Sequence, residues 1–398
     1  MKNTPEIRFK GFTDVWVQRK LGEVVEFYSG LTYSPDNVLE SNGTFVLRSS
    51  NVSDNEIVDA DNVYVDTNVV NCDNVRVGDI IVVVRNGSRN LIGKHAQIKK
   101  EMKNTVIGAF MTGIRSQQPD FTNILLDTKQ FNIEITKNLG ATINQITTGA
   151  FKHMTFNVSN TVSEQTSIGN FFRTLDNTIT LYKRKLDVLK QLKKAYLQQM
   201  FPQDGETVPK IRFAGFKGDW REYKLEHYFK ERSERSSVGE LISITINYGV
   251  MKADELDRQI ISSEDKSNYK IVKVGDIAYN SMRMWQGASG YSPYDGILSP
   301  AYTVLTPNSN TYSQFFAYLF KRLDMIQIFQ RNSQGLTSDT WNLKFPAFSQ
   351  IEVRAPLYEE QLIIADFFKK LDFKITKYSK KIEQLQRLKS AYLQKMFI

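Results

Sequence analysis

The sequence predicts an α+β chain of two mixed α/β globular units separated by a pair of long antiparallel coiled-coil helices, the whole forming a pseudo-two-fold internal repeat. Three observations carry that expectation. A long amphipathic segment occurs twice, a short aromatic signature opens each half, and each globular stretch precedes its helix with only a short linker between the halves.

The amphipathic segment runs from Glu164 to Phe201 and returns from Glu360 to Phe397, with about twenty identities over roughly 38 aligned positions. Shared features include the Glu-Gln start, Phe171-Phe172 with Phe367-Phe368, Leu175-Asp176 with Leu371-Asp372, and the Ala-Tyr-Leu-Gln and Met-Phe endings. In the first copy Ile168, Phe172, Leu175, Ile179, Tyr182, Leu186, Leu189, Lys193, Tyr196 and Met200 fall at alternating steps of four and three, the spacing of one apolar seam along a helix. The second copy repeats the seam in phase through Ile364, Phe368, Leu371, Ile375, Tyr378, Ile382, Leu385, Lys389, Tyr392 and Met396. Each helix would be about 55 Å long, too long to hide its seam inside a small domain. The other copy is the natural partner, with Ile179, Leu186 and Leu189 set against Ile375, Ile382 and Leu385. Lys193 and Lys389 hold the same seam position, where a lysine either buries its stem or fixes the register.

In chain order, Ile7-Arg8-Phe9-Lys10-Gly11-Phe12, Trp16 and Lys20-Leu21 come first, and they return as Ile211-Arg212-Phe213-Ala214-Gly215-Phe216, Trp220 and Lys224-Leu225. Alternating apolar and polar residues punctuated by Gly, Asn, Asp and Ser follow each signature and read as strands with irregular loops. Val77-Gly78-Asp79-Ile80 and Val274-Gly275-Asp276-Ile277 read as turns entering buried strands. Pro202 stops the first helix, and the polar stretch from Gln203 to Pro209 reads as an exposed linker. The predicted divisions are a unit over 1–160, a helix over 161–201, a linker over 202–208, a unit over 209–357 and a helix over 358–398. With so short a linker the second unit starts where the first helix finishes, which favours an antiparallel pair.

Composition bounds the partners. The 398 residues are 41% hydrophobic and 24% charged, as in an ordinary soluble protein with room for two or three domains, and no run is long and apolar enough to span a membrane. One cysteine, Cys72, precludes an internal disulfide and, with an N-terminus unlike a signal peptide, points to the cytoplasm. A net charge of +9 leans towards nucleic acid.

The loops diverge more than the scaffold does. Arg48, Ser50 and Asn51, then Arg85, Asn86, Ser88, Arg89 and Lys94, lie on loops of the first half; Asn247, Tyr248, Asn280, Arg283, Trp285 and Gln286 lie on loops of the second. Arginine and amide side chains on glycine-bearing loops carry the donors and acceptors that match base edges in a DNA groove, so these residues are the candidate DNA contacts.

Chemistry-bearing constellations are missing from the sequence. His95, His153 and His227 stand apart with no metal-ligand spacing, no phosphate-binding glycine loop occurs in strand-to-helix context, and no Asn-Pro-Pro-Tyr-type motif is present to hold a flipped base. Glu359-Glu360 and Asp254-Glu255 read as capping and solubilising carboxylates. No catalytic residue, metal ligand or bound cofactor is expected of this chain.

The order of variable unit, Glu-Gln-led helix ending Leu-Lys-Lys-Ala-Tyr-Leu-Gln-Gln-Met-Phe, second variable unit, and second Glu-Gln helix ending Leu-Gln-Lys-Met-Phe resembles the specificity (S) subunit of type I restriction-modification systems. Arg283 to Ala288 and Ser299-Pro300-Ala301-Tyr302 resemble target-recognition domains of that family. The likeness covers essentially the whole chain. It implies that each unit is a target-recognition domain reading one half of a bipartite sequence in double-stranded DNA, with the helix pair setting the spacer. It also implies partners: two methyltransferase (M) subunits that carry S-adenosylmethionine, and motor-nuclease (R) subunits that use ATP and Mg. Two other readings stay open on the residues alone, a catalytic nuclease or methyltransferase with degenerate motifs, and a coiled-coil scaffold whose end domains bind proteins.

Overall fold

A computed structural model describes residues 4–139, 144–246, 248–256 and 265–398. In the first half the unbroken aliphatic run Ile80–Val83 is buried on both faces, because it is an inner strand of a four-stranded antiparallel sheet ordered Val25–Ser29, Met111–Ser116, Ile80–Val83, His95–Gln97. Gly78 enters that strand at φ +94°, a conformation that side chains with a Cβ resist. Beside it Asp79 is buried, accepting from Tyr28 Oη at 2.8 Å, the Arg76 N–H at 3.0 Å and Arg115 Nε at 3.3 Å. The second half repeats the arrangement with Phe229–Glu231, Tyr302–Pro307, Ile277–Asn280 and Ser289–Tyr291. Gly275 stands at φ +98° and buried Asp276 is gripped by Arg232 through Nε and Nη2 at 2.8 and 3.0 Å. The counter-charge thus comes from the strand next to the aspartate's own in one half and from beyond the edge strand in the other, although the pairing is the same.

Each sheet is elaborated differently. The first half adds a mixed sheet ordered Thr105–Ile107, Thr44–Leu47, Val63–Val65, Val38–Leu39, whose first pair is parallel. In the second half the described residues include a hairpin, Ile242–Thr245 with Gly249–Lys252, and the pair Lys270–Val272 with Gly296–Leu298. A two-stranded ribbon closes each repeat, Val17–Lys20 with Thr155–Val158 and Arg221–Lys224 with Glu352–Ala355, so the junction before the first helix keeps the form of the second although it lacks the proline of Ala355-Pro356-Leu357.

The chain folds as two compact units, residues 1–183 with 380–398 and residues 184–379. The helices are Val162–Gln199 and Tyr358–Met396, and every seam position predicted above is buried or half-buried. Within the first unit Phe171 meets Tyr392 edge-on at 5.1 Å and Lys389 Nζ lies 2.8 Å from Asp176. Within the second, Tyr196 meets Phe367 at 5.0 Å and Lys193 Nζ lies 2.5 Å from Asp372. Rising numbers on one helix meet falling numbers on the other in both places, so the pair is antiparallel. That register sets Ile179 beside Ile382 and Leu385 in the first unit, and Leu186 and Leu189 beside Ile375 in the second.

Two local readings need correction. Each helix stops short of its terminal phenylalanine, which turns into an aromatic core: Phe201 stacks on Phe315 at 5.3 Å and Phe397 on Phe121 at 5.8 Å. Glu360 is not a solvated cap. It is 1% exposed and takes Arg212 Nε and Nη2 at 2.8 and 2.7 Å, as Glu164 takes the Arg8 guanidinium, so the opening signatures supply arginines to the helix starts. The linker is exposed at Asp204, Gly205, Thr207 and Val208 and is also tied to the second unit by Arg322 on the Pro202 carbonyl, Arg354 on the Glu206 carbonyl and the Trp220 N–H on that of Thr207.

Candidate nucleic-acid interface

In the first unit the sheet delivers the candidate loop at the end of Ile80–Val83. Arg85 is exposed, its guanidinium 4.9 Å from the ring centroid of Phe110, and its backbone pairs with that of Gln145. Asn86 then ties three loops together: its N–H donates to the Asn144 carbonyl at 3.2 Å, its Nδ2 to Ser49 Oγ at 3.0 Å, and its Oδ1 accepts from the Ser88 N–H at 2.9 Å. Asn144 Nδ2 answers with a bond to the Gly87 carbonyl at 3.0 Å. Ser88 and Arg89 project from the surface so formed. Arg48 borders it and pairs with Asp61 at 3.2 Å, an ion pair so exposed that solvent screening leaves it weak.

Not every sequence candidate lies on that surface. Asn51 is fully buried, and its side chain is used up on the Arg48 N–H, the Ala60 carbonyl and Asn62 Oδ1, so it shapes the loop and cannot reach a base. The Ser50 hydroxyl is likewise buried, which corrects its place among the contacts. Lys94 is half-buried at the start of the His95–Gln97 strand, where its charge helps hold the Asp54 carboxyl below the usual range after Lys183, the main cause.

The second unit builds its surface from other chemistry. Asn280 ends its strand by accepting the Met282 N–H at 3.0 Å and acts on the turn, while Arg283 is exposed with Nη1 3.2 Å from Gln286 Oε1. Trp285 donates to the Met282 carbonyl and meets Trp341 edge-on at 5.2 Å, bringing in the segment between the helices Leu323–Asn332 and Phe345–Ser349. Tyr248 is 75% exposed at the hairpin tip, and Asn247 lies outside the described residues. Lys321 joins tip and turn: Nζ donates to the Ile246 carbonyl at 3.0 Å and to the Gly287 carbonyl at 2.5 Å. Gly287, at φ +82°, closes the turn in a left-handed conformation. Ile246, Met282 and Leu336 add exposed apolar surface, and a cleft of about 290 Å³ lined by Ser281, Met282, Asn342 and Lys344 opens alongside.

Phe110, Asn144, Gln145, Lys321 and Trp341 are the participants that sequence reasoning misses. Each lies far along the chain from the loop it completes, and no periodicity or motif marks such a partner. Among the described residues no group of His, Cys, Asp and Glu is arranged to hold a metal ion, and no helix is long and apolar enough to cross a membrane.

The family described as type I restriction modification DNA specificity domain matches the chain twice, over residues 13–191 and 217–387. No curated protein is a significant match. Among solved structures, the S subunit of the type I restriction-modification system of M. genitalium is 16% identical, with 99% of each chain covered and a TM-score of 0.67, which shows a shared fold. The HsdS subunit from Thermoanaerobacter tengcongensis is 15% identical over 100% of this chain and 99% of its own, with a TM-score of 0.42.

Proposed function

The chain belongs to the type I restriction-modification DNA specificity family, whose domain recurs in both of its halves, and on that premise we propose that the loops joined by Asn86 and by Lys321 are the two reading surfaces of a bipartite target in duplex DNA. One observation carries the assignment. In each unit, loops distant in sequence are bonded together at the end of the matching inner strand, and they expose arginine there beside half-buried amide groups. Arginine can address guanine in the major groove with two donors, and amides can address adenine in the same way. The first surface is rich in arginine and asparagine, the second in aromatic and aliphatic groups, so the two half-sites differ in sequence.

In this reading the helix pair is a ruler between half-sites and the chain performs no reaction itself. Two methyltransferase subunits bring S-adenosylmethionine, and motor-nuclease subunits bring ATP and Mg. The test uses the full chain assembled with methyltransferase subunits. Binding to duplex DNA should weaken steeply with salt. Alanine at Arg85, Arg89, Arg283 and Gln286 should cost about 1 to 3 kcal/mol at single base pairs where a side chain reads a base, and should lower the salt slope where it meets a phosphate. A quadruple variant with unchanged affinity and salt slope would overturn the assignment of these loops.

A further inference from the structure

The repeat exposes one matched position at which the units carry opposite charge. In each unit a seven-residue helix and a ten-residue helix are joined by three residues: Pro119–Leu125 leads to Lys129–Asn138, and Ser313–Leu319 to Leu323–Asn332. The middle joining residue is Asp127 in the first unit and Lys321 in the second. Asp127 accepts from the seam lysine Lys389 at 2.7 Å. The seam lysine of the second unit, Lys193, has no carboxylate to meet at Lys321; it bonds to Asp372 at 2.5 Å and lies over the Tyr318 ring. Freed of the helix pair, the Lys321 ammonium donates to two carbonyls on two reading loops.

We infer that Lys321 is a positioning residue of the second reader, holding the hairpin tip that bears Tyr248 against the turn that bears Arg283, Trp285 and Gln286, so that one half-site meets a single surface. This rests on the function proposed above. A lysine is a costly choice for the position if stability alone is at stake. Burial, and then the neighbouring charge of Lys193, pull its pKa down to about 8. A lysine less basic in the folded than in the unfolded state opposes folding while it is charged, and that cost fades as pH rises from about 8 towards the ordinary value near 10.4. Titratable groups around it among the described residues are Lys193 from the central helix, with Asp372 and Tyr318 beyond; the loops meet it with the Ile246 and Gly287 carbonyls. Removing the ammonium relieves an electrostatic cost to the fold and takes away the donor that the two loops share.

The experiment compares Lys321→Met and Lys321→Arg with the wild type, each as full chain assembled with methyltransferase subunits, on duplexes in which one or the other half of the mapped methylation motif is scrambled. Discrimination of the second half should fall roughly tenfold in Lys321→Met, the size of a charge-assisted bond lost, with the first half unaffected and the unfolding midpoint not lowered. Lys321→Arg, which stays charged, should keep second-half reading and make it independent of pH, whereas in the wild type it weakens between pH 7 and 9. Unchanged second-half reading in Lys321→Met, equal loss at both halves, or a loss that follows a lowered midpoint would each overturn the assignment. If the wild-type complex itself shows no salt-sensitive DNA binding, the proposed function fails as well, so the two failures are distinct.

Discussion

Asp127→Asn replaces a carboxylate by an amide of equal size, so packing is kept and charge becomes the variable. The site is a charged cluster on the first unit's seam. Lys389 Nζ sits 2.7 Å from Asp127 and 2.8 Å from Asp176, His95 Nε2 is 3.3 Å from Asp127, and the Lys389 and Asp127 side chains are only 16% and 12% exposed. Removing one partner of a buried pair costs ~3–5 kcal/mol when the other is left alone. Here Lys389 keeps Asp176, so we expect about 2 kcal/mol, the worth of one charged hydrogen bond, and a fall of ~4–8 °C in the unfolding midpoint of that unit. The matched pair Lys193 and Asp372 is 28% and 38% exposed, and Asp372→Asn should cost less than ~1 kcal/mol after solvent screening. Burial pushes the Asp127 carboxyl up, but His95 and Lys389 together outweigh it and hold the group well below the usual range. A carboxylate depressed in this way contributes stability above its unfolded pKa of about 3.9 and loses it as pH falls below that. The gap between wild type and Asp127→Asn should therefore be full at pH 7, narrow below about pH 4, and close only as pH falls through the lowered folded value. Thermal unfolding by circular dichroism, in a double-mutant cycle with Lys389→Met, reads both quantities. A coupling energy under about 0.5 kcal/mol, or a gap that does not change with pH, would refute the reasoning.

Further outcomes follow from the same contacts. Glu360→Gln leaves the half-buried Arg212 without its two-pronged partner and should lower stability by ~3 kcal/mol, seen as a shifted denaturant midpoint at constant slope. Leu186→Asp places an unpaired carboxylate on the half-buried seam and should cost about 2 kcal/mol; cysteine pairs in antiparallel register, Ile179→Cys with Leu385→Cys, should crosslink where parallel-register pairs do not. Exchanging residues 209–350 for the equivalent segment of another family member, with both helices retained, should change one half of the methylated motif and leave the other half and the spacer as they were. A motif altered in both halves would contradict modular reading.

What the sequence determined by itself is whatever repeats or is periodic. The two helices, their seam, the antiparallel sense, the matched Gly-Asp-Ile strands and the resemblance to a specificity subunit were all legible, because a heptad seam and a duplicated signature are local patterns that survive reading along a line. Arg85, Arg89 and Arg283 could be picked out as exposed loop cations for the same reason, residue type beside a glycine-bearing turn. Long-range pairing decided the rest. Asn51 and Arg85 look alike as polar loop residues, yet one is fully buried with its side-chain donors and acceptor satisfied and the other is exposed at the surface, and only the packing of residues far apart in sequence separates them. Glu360 reads as a solvated cap until Arg212 arrives from the opening signature, as Arg8 does at Glu164. Asp127 and Lys321 occupy one matched position, but which becomes an anchor to the helix pair and which a strut between reading loops depends on the partner that the fold brings within hydrogen-bonding distance, since a charge taken out of water is tolerable only where a counter-charge or a set of carbonyls meets it.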